Sequence, residues 1–252
     1  MKSRIFVLVY LLTFLFTVDT MASPVETEKQ IYEWRIYTLN DDGENLDRFL
    51  EETLIPAYNR RNVYVGAFSL YKKEEKEKRF LLFVYPNWET YQEVRNAIRN
   101  DETFREEALP FFNETAPKPA YSDYTTFLCE AFDKIPVMRK PGSERTLFEF
   151  RLYHSPNEDA NQRKIKMFNT EEIDLFDQIG INSVCYGEIM AGSHMPALIY
   201  LTWHKDEDTR NEVWKRFSAN PEWIAIKKKP EYSNTAIKNQ IILLSPLVYS
   251  QF

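Results

Sequence analysis

Three histidines, two cysteines and a twice-written Glu-x-Arg-x-Tyr pattern are the residues of this 252-residue chain best placed to do chemistry. The pattern stands at Glu33, Arg35 and Tyr37 and again at Glu149, Arg151 and Tyr153. Alternate residues of a strand share a face, so each set puts a carboxylate, a guanidinium and a phenol on one surface. Such a surface can be a ligand wall, with Arg35 and Arg151 holding an acidic or carbonyl group. It can equally be a structural Glu–Arg network that ties strands together. No catalytic residue is assigned. His154 and His204 fall at strand ends and His194 in a hairpin; each is expected at the surface or in a loop, and a haem ligand among them is not indicated. No zinc-protease, phosphate-loop, dinucleotide or nucleophile-elbow pattern occurs. The reading therefore contains no metal site and no cofactor. Cys129 and Cys185 lie in apolar strand-like runs without a CxxC pair, as two buried small hydrophobes or as one bridge.

Composition narrows the partners. Hydrophobic residues are 44% and charged residues 28%, which is ordinary globular make-up. A formal charge of −6 argues against nucleic acid as a partner. Aromatic residues reach 15%, enough for a sizeable core or a lined cavity.

The first residues read as an address. Lys2 and Arg4 precede an uncharged apolar run from Ile5 to Val18, and Ala22 supplies a small residue at a cleavage point. That is the layout of a signal peptide over 1–22, and it predicts an exported chain, periplasmic or extracellular. The run is too short to span a bilayer comfortably, so no stable membrane span is expected after cleavage.

The rest of the chain repeats itself. Tyr32 to Tyr37 recurs as Phe148 to Tyr153 at an offset of 116 residues. Phe83-Val84-Tyr85 is matched with Leu201-Thr202-Trp203, and Tyr91, Val94, Ile98 and Phe104 with Arg210, Val213, Phe217 and Trp223. Each copy reads as strand, helix, strand, strand, helix, strand. Strands are predicted at 31–39, 63–71, 80–85 and 125–132, then at 147–154, 183–190, 197–203 and 239–247. Lys72 to Arg79, eight charges in a row, is predicted to be a solvated turn. The expected fold is α+β, with two tandem ferredoxin-like βαββαβ domains at 24–135 and 145–252. Each sheet has helices on one face, and the bare faces are expected to meet sheet to sheet.

At these residues the chain resembles the NIPSNAP family. Tyr32 to Tyr37 matches the first-strand pattern Y-E-x-R-x-Y, with Phe148 replacing the first tyrosine in the second copy. Asn220-Pro221-Glu222-Trp223 is similar to the helix-end pattern D-P-E-W, from which Asp101-Glu102-Thr103-Phe104 departs. The resemblance implies a dimeric α/β-barrel architecture, here closed within one chain, a group that includes small monooxygenases and haem-modifying enzymes. It carries over no catalytic residues.

The wholly apolar faces, Tyr32, Trp34 and Ile36 and then Phe148, Phe150 and Leu152, are expected to pack under the helices. The two Glu-Arg-Tyr faces would then look into the space between the sheets. Glu and Arg two apart on one strand are expected to reach neighbouring strands rather than each other. The function read from this is a small-molecule-binding or interaction module, with a homo-oligomer among the partners. The alternative is a monooxygenase-like oxidoreductase acting on a small aromatic or haem-like substrate between the sheets; whether the chain is an enzyme stays open.

Overall fold

A computed structural model describes residues 28–113 and 119–252. The 1–22 segment lies outside the described residues. Among those described, no helix is long and apolar enough to cross a membrane.

The strands are β1 (Ile31–Leu39), β2 (Tyr64–Leu70), β3 (Lys78–Tyr85), β4 (Tyr121–Ala131), β5 (Leu147–His154), β6 (Asn182–Ala191), β7 (Ala197–His204) and β8 (Lys238–Pro246). They form one closed antiparallel barrel in the order β1-β3-β2-β8-β5-β7-β6-β4. The fold is thus α+β around an eight-stranded barrel. Each half supplies four neighbouring strands, and two seams join the halves. At one seam β2 pairs with β8 only from Phe68 to Leu70. At the other β4 pairs with β6 from Leu128 to Ala131. The chain's last residues extend the first seam: Leu247 and Gln251 donate backbone hydrogen bonds to Ala67 and Val65. Gln251 Oε1 and Ser250 Oγ accept from the backbone of Val65 and Ala67 at 2.7 and 2.9 Å. Phe252 then lies over Gly66, where a Cβ would come within 2.9 Å of its ring.

The helices of the first half are α1 (Glu44–Phe49), α2 (Ile55–Asn59), α3 (Trp88–Arg99) and α4 (Glu102–Phe112). Those of the second are α5 (Glu158–Met167), α6 (Ile173–Ile179), α7 (Glu207–Ala219) and α8 (Pro221–Ile226). A π-helical turn joins α1 to α2 at Leu50–Leu54 and α5 to α6 at Phe168–Glu172. Short polar side chains start the later helices as caps do. Asn87 accepts from Thr90 N, Asp101 from Phe104 N, Asn157 from Ala160 N and Asp206 from Thr209 N. Asn220 of the Asn-Pro-Glu-Trp run caps α8 in the same way. The charge run is exposed from Lys72 to Lys76, but Arg79 belongs to β3 and is buried against Asp47 at 2.8 Å.

Two corrections concern which face points where. The barrel interior is filled by the apolar faces of both halves, including Tyr32, Trp34, Phe68, Phe80, Phe148 and Phe150. Trp34 meets Phe150 edge-on at 4.9 Å, and Phe68 meets Phe148 at 4.8 Å. The Glu-Arg-Tyr faces look outward, under the helices, where Tyr37 and Tyr153 sit in the two sheet–helix cores. The physical reason is that a small closed barrel must be filled by side chains with no polar partners opposite. Helices bring such partners with them. Cys129 and Cys185 are both free and buried in the barrel interior.

The second correction is one of register. Arg35 pairs with Leu81 and Ile31 with Tyr85, while Arg151 pairs with Tyr200 and Leu147 with His204. Leu81 therefore corresponds to Tyr200, Phe83 to Thr202 and Tyr85 to His204. The alignment by residue type was one position off, and a one-residue slip exchanges the two faces of a strand.

Candidate functional site

In the second half the outward Glu-Arg-Tyr set is the floor of a polar network. Glu149 is fully buried. Arg151 donates to it from Nε at 2.8 Å, and Arg210 on α7 from Nη2 at 2.8 Å and Nε at 3.0 Å. Trp214 Nε1, one turn further along α7, donates to its other oxygen at 2.7 Å. Glu and Arg two apart on one strand thus pair directly, contrary to expectation, because burial under the helices folds the guanidinium back onto the carboxylate. Burial by itself would raise the Glu149 carboxyl. The hydrogen bonds from His204 and Arg210 and the charges of Arg151 and Arg210 prevail and hold it well below the usual carboxylate range.

His204 is not at the surface. It is buried beside Glu149, with Nε2 3.4 Å from the carboxylate and 3.3 Å from Thr202 Oγ1, and its Nδ1 has no hydrogen-bond partner among the described residues. His154 is also largely buried, its Nδ1 3.0 Å from the backbone oxygen of His194.

A cleft of about 470 Å³ opens above this network, between the sheet and α5, α7 and α8. Arg151 and Tyr153 lie on its wall; Glu149 is beneath. Arg151 Nη1 donates to Tyr153 Oη at 2.8 Å, and that oxygen is 2.9 Å from Tyr200 Oη. The Arg151 guanidinium stacks on Trp214, 3.6 Å from the ring centroid. Across the cleft Lys164 Nζ donates to Glu172 Oε2 at 2.8 Å, and both residues are buried. Lys164 also lies 4.4 Å from the Phe168 ring centroid and 5.7 Å from those of Tyr153 and Trp223. Trp214 and Trp223 are half-buried and line the cleft.

The first half places Glu33, Arg35 and Tyr37 differently. Arg35 donates to Glu33 at 2.7 Å and to Tyr58 Oη at 2.8 Å, and lies 4.4 Å from the Phe83 ring centroid. Tyr85 donates to the other oxygen of Glu33 at 2.8 Å. Burial, with the neighbouring phenols of Tyr121 and Tyr124, pushes the Tyr37 phenol up to about 12 despite Arg35. The cleft is closed over here. The matching π-turns set Leu46 opposite Lys164 and Leu54 opposite Glu172. Phe49, the counterpart of Met167 on the cleft wall, is stacked by Phe111 of the longer α4 at 4.2 Å.

The structure thus brings Arg151 and Tyr153 to a cleft and seals the other four sequence-predicted residues inside the two networks. Lys164, Glu172, Tyr200, Trp214 and Trp223 join the site without having been anticipated as functional. Glu172, a carboxylate within the apolar stripe of Ile165, Phe168, Ile173 and Phe176, is the signal that could have found it.

No curated protein matches the chain. Among solved structures it is similar to a proposed monooxygenase from Fusobacterium nucleatum, 9% identical, with a TM-score of 0.59 over 87% of this chain and 93% of that one. It is equally similar to a proposed monooxygenase from Lactobacillus acidophilus, 9% identical, with a TM-score of 0.59 over 87% of this chain and 94% of that one. A mutant chlorite dismutase from Candidatus Nitrospira defluvii is 7% identical, with a TM-score of 0.50 over 87% of this chain and 92% of that one. At such identities the likeness is one of fold. The NIPSNAP family model matches residues 148–251, the half that holds the cleft. The chain carries a NIPSNAP domain over residues 148–251.

Proposed function

We propose that the chain is an exported small-molecule-binding protein whose ligand sits in the second-half cleft, over Arg151 and Tyr153. We further propose that the two halves, 24–135 and 145–252, are duplicated ferredoxin-like units, the first also NIPSNAP-like. One observation carries the binding reading. A buried Lys164–Glu172 ion pair lines the cleft at positions where the other half builds the same turns with Leu46 and Leu54. A buried ion pair is seldom worth more to stability than leucines, so stability does not account for it. A concave site of a few hundred Å³ with aromatic walls and a few convergent polar groups is how small-molecule sites are commonly built. The barrel interior is packed with apolar side chains and leaves a pocket of about 180 Å³ at one mouth, bounded by Ile36, Phe80, Phe150 and Leu152, smaller than the second-half cleft, which favours the cleft as the ligand site.

The test is mass spectrometry of small molecules retained by the purified protein and by Ser218→Trp, which fills the cleft mouth. A compound held by the first and missing from the second supports the reading; equal retention, or none in either, counts against it. N-terminal sequencing from the native host tests export, with Met1 retained on a cytosolic species as the adverse result.

A further inference from the structure

We infer that the cleft ligand is a planar aromatic compound bearing a single carboxylate; this rests on the binding reading above. Charge comes first. The cleft is lined by Arg151, Lys164 and Lys227 against the single carboxylate Glu172, in a chain whose formal charge is −6. A local cationic surplus in an acidic protein selects an anion. The surplus is small, because Arg151, Arg210 and Lys164 stand against the two carboxylates Glu149 and Glu172, which leaves one positive charge, while Lys227 is exposed and screened by water. A multiply charged phosphate would be undercompensated, whereas a monocarboxylate is matched.

Shape comes second. Trp214 is stacked by Arg151 on one side, and Trp223 packs on Phe217 with ring centroids 4.4 Å apart. Both remain half-buried on the cleft wall, which the buried Tyr153 and Tyr232 also line. Flat, polarisable walls reward a flat ring over an aliphatic one. Lys164 Nζ gives one N–H to Glu172 and one to Met167 Sδ at 3.7 Å, and its third N–H meets the acid at the ring's edge.

The experiment is calorimetric titration of the full chain with naphthalene-2-carboxylate, naphthalene-2-carboxamide and cyclohexanecarboxylate. The expected result is that the aromatic acid binds about tenfold or more tightly than either comparator. In the double variant Lys164→Leu/Glu172→Leu, which copies the first half's leucines, that preference over the amide disappears while the thermal melt shows a folded protein. Equal affinity for acid and amide, or a preference surviving in the double variant, overturns the inference. So does failure of all three to bind at about 1 mM. If a compound of another class is still retained in the cleft, only the ligand class falls. If Ser218→Trp retains as much as the unaltered protein, the site falls with it.

Discussion

The two halves of the barrel use one backbone plan for opposite ends. In the first, Leu46, Leu54 and Leu81 pack against Tyr58 and Phe83 in a closed sheet–helix core. In the second, the positions of those three leucines hold Lys164, Glu172 and Tyr200. The first-half helix α4 runs from Glu102 to Phe112, while its counterpart α8 stops at Ile226. The shorter helix uncovers what the longer one seals. The comparison teaches that the Glu-Arg strand motif is common scaffolding, and that the departure from it lies in what the helices bring above. One half can keep the fold while the other carries polar residues that the fold does not need.

The largest effect is expected from Glu149→Gln. It strips the charge partner from Arg151 and Arg210 inside a fully buried network, and should cost about 3–5 kcal/mol in urea unfolding. Glu33→Gln, with a single arginine to release, should cost about 1–3 kcal/mol. Equal losses would break the contrast between the two networks.

Next is a double-mutant cycle on the cleft pair. Lys164→Leu or Glu172→Leu alone leaves one buried charge unpaired, at about 3–5 kcal/mol. The double variant should lie within about 1 kcal/mol of the unaltered protein. A double variant still several kcal/mol less stable than the unaltered protein would mean that the ion pair is structural.

A smaller effect follows from pH. The Glu149 carboxyl is depressed in the folded state, so its contribution is complete above the unfolded value of about 4.3 and is lost as pH falls through the lower folded value. Stability measured between about pH 6 and 3 should fall more steeply for the unaltered protein than for Glu149→Gln. Parallel curves would remove Glu149 as the acid-sensitive group.

The smallest concerns His204, whose Nδ1 is buried without a hydrogen-bond partner among the described residues. His204→Tyr copies Tyr85, which donates to Glu33 at 2.8 Å. It should change stability by less than about 1 kcal/mol. A loss of several kcal/mol would show that the two positions are not interchangeable.

Much of the scaffold was legible in the residues. The strand at 31–39 and the strand at 147–154 have the predicted limits, since alternation and β-branched or aromatic types agree there. The orientation of the faces was not legible. Both faces of β1 carry apolar residues, Tyr32, Trp34 and Ile36 on one and Ile31, Tyr37 and Leu39 on the other, and only the helices' side chains, Tyr58, Arg210 and Trp214 among them, show where polar groups find partners. The third strand slipped because Leu201-Thr202-Trp203 imitates Phe83-Val84-Tyr85 in type, while hydrogen-bonded register alone sets Tyr85 against His204. The cleft itself depends on helix length and on two side chains eight residues apart, which strand alternation does not report.

The seam sealed by the chain's last residues bears on how the molecule reaches its native state. Six of the eight strand pairs form within one half, where partners lie no further apart than Ile31 and Glu130. The bond from Val65 N to Gln251 bridges 186 residues of sequence. Contacts of such range are slow to form, because the chain entropy they consume is lost before any compensating interaction exists. Closure of the ring is therefore expected to be the late, rate-limiting event of folding, and Phe252 over Gly66 its final latch.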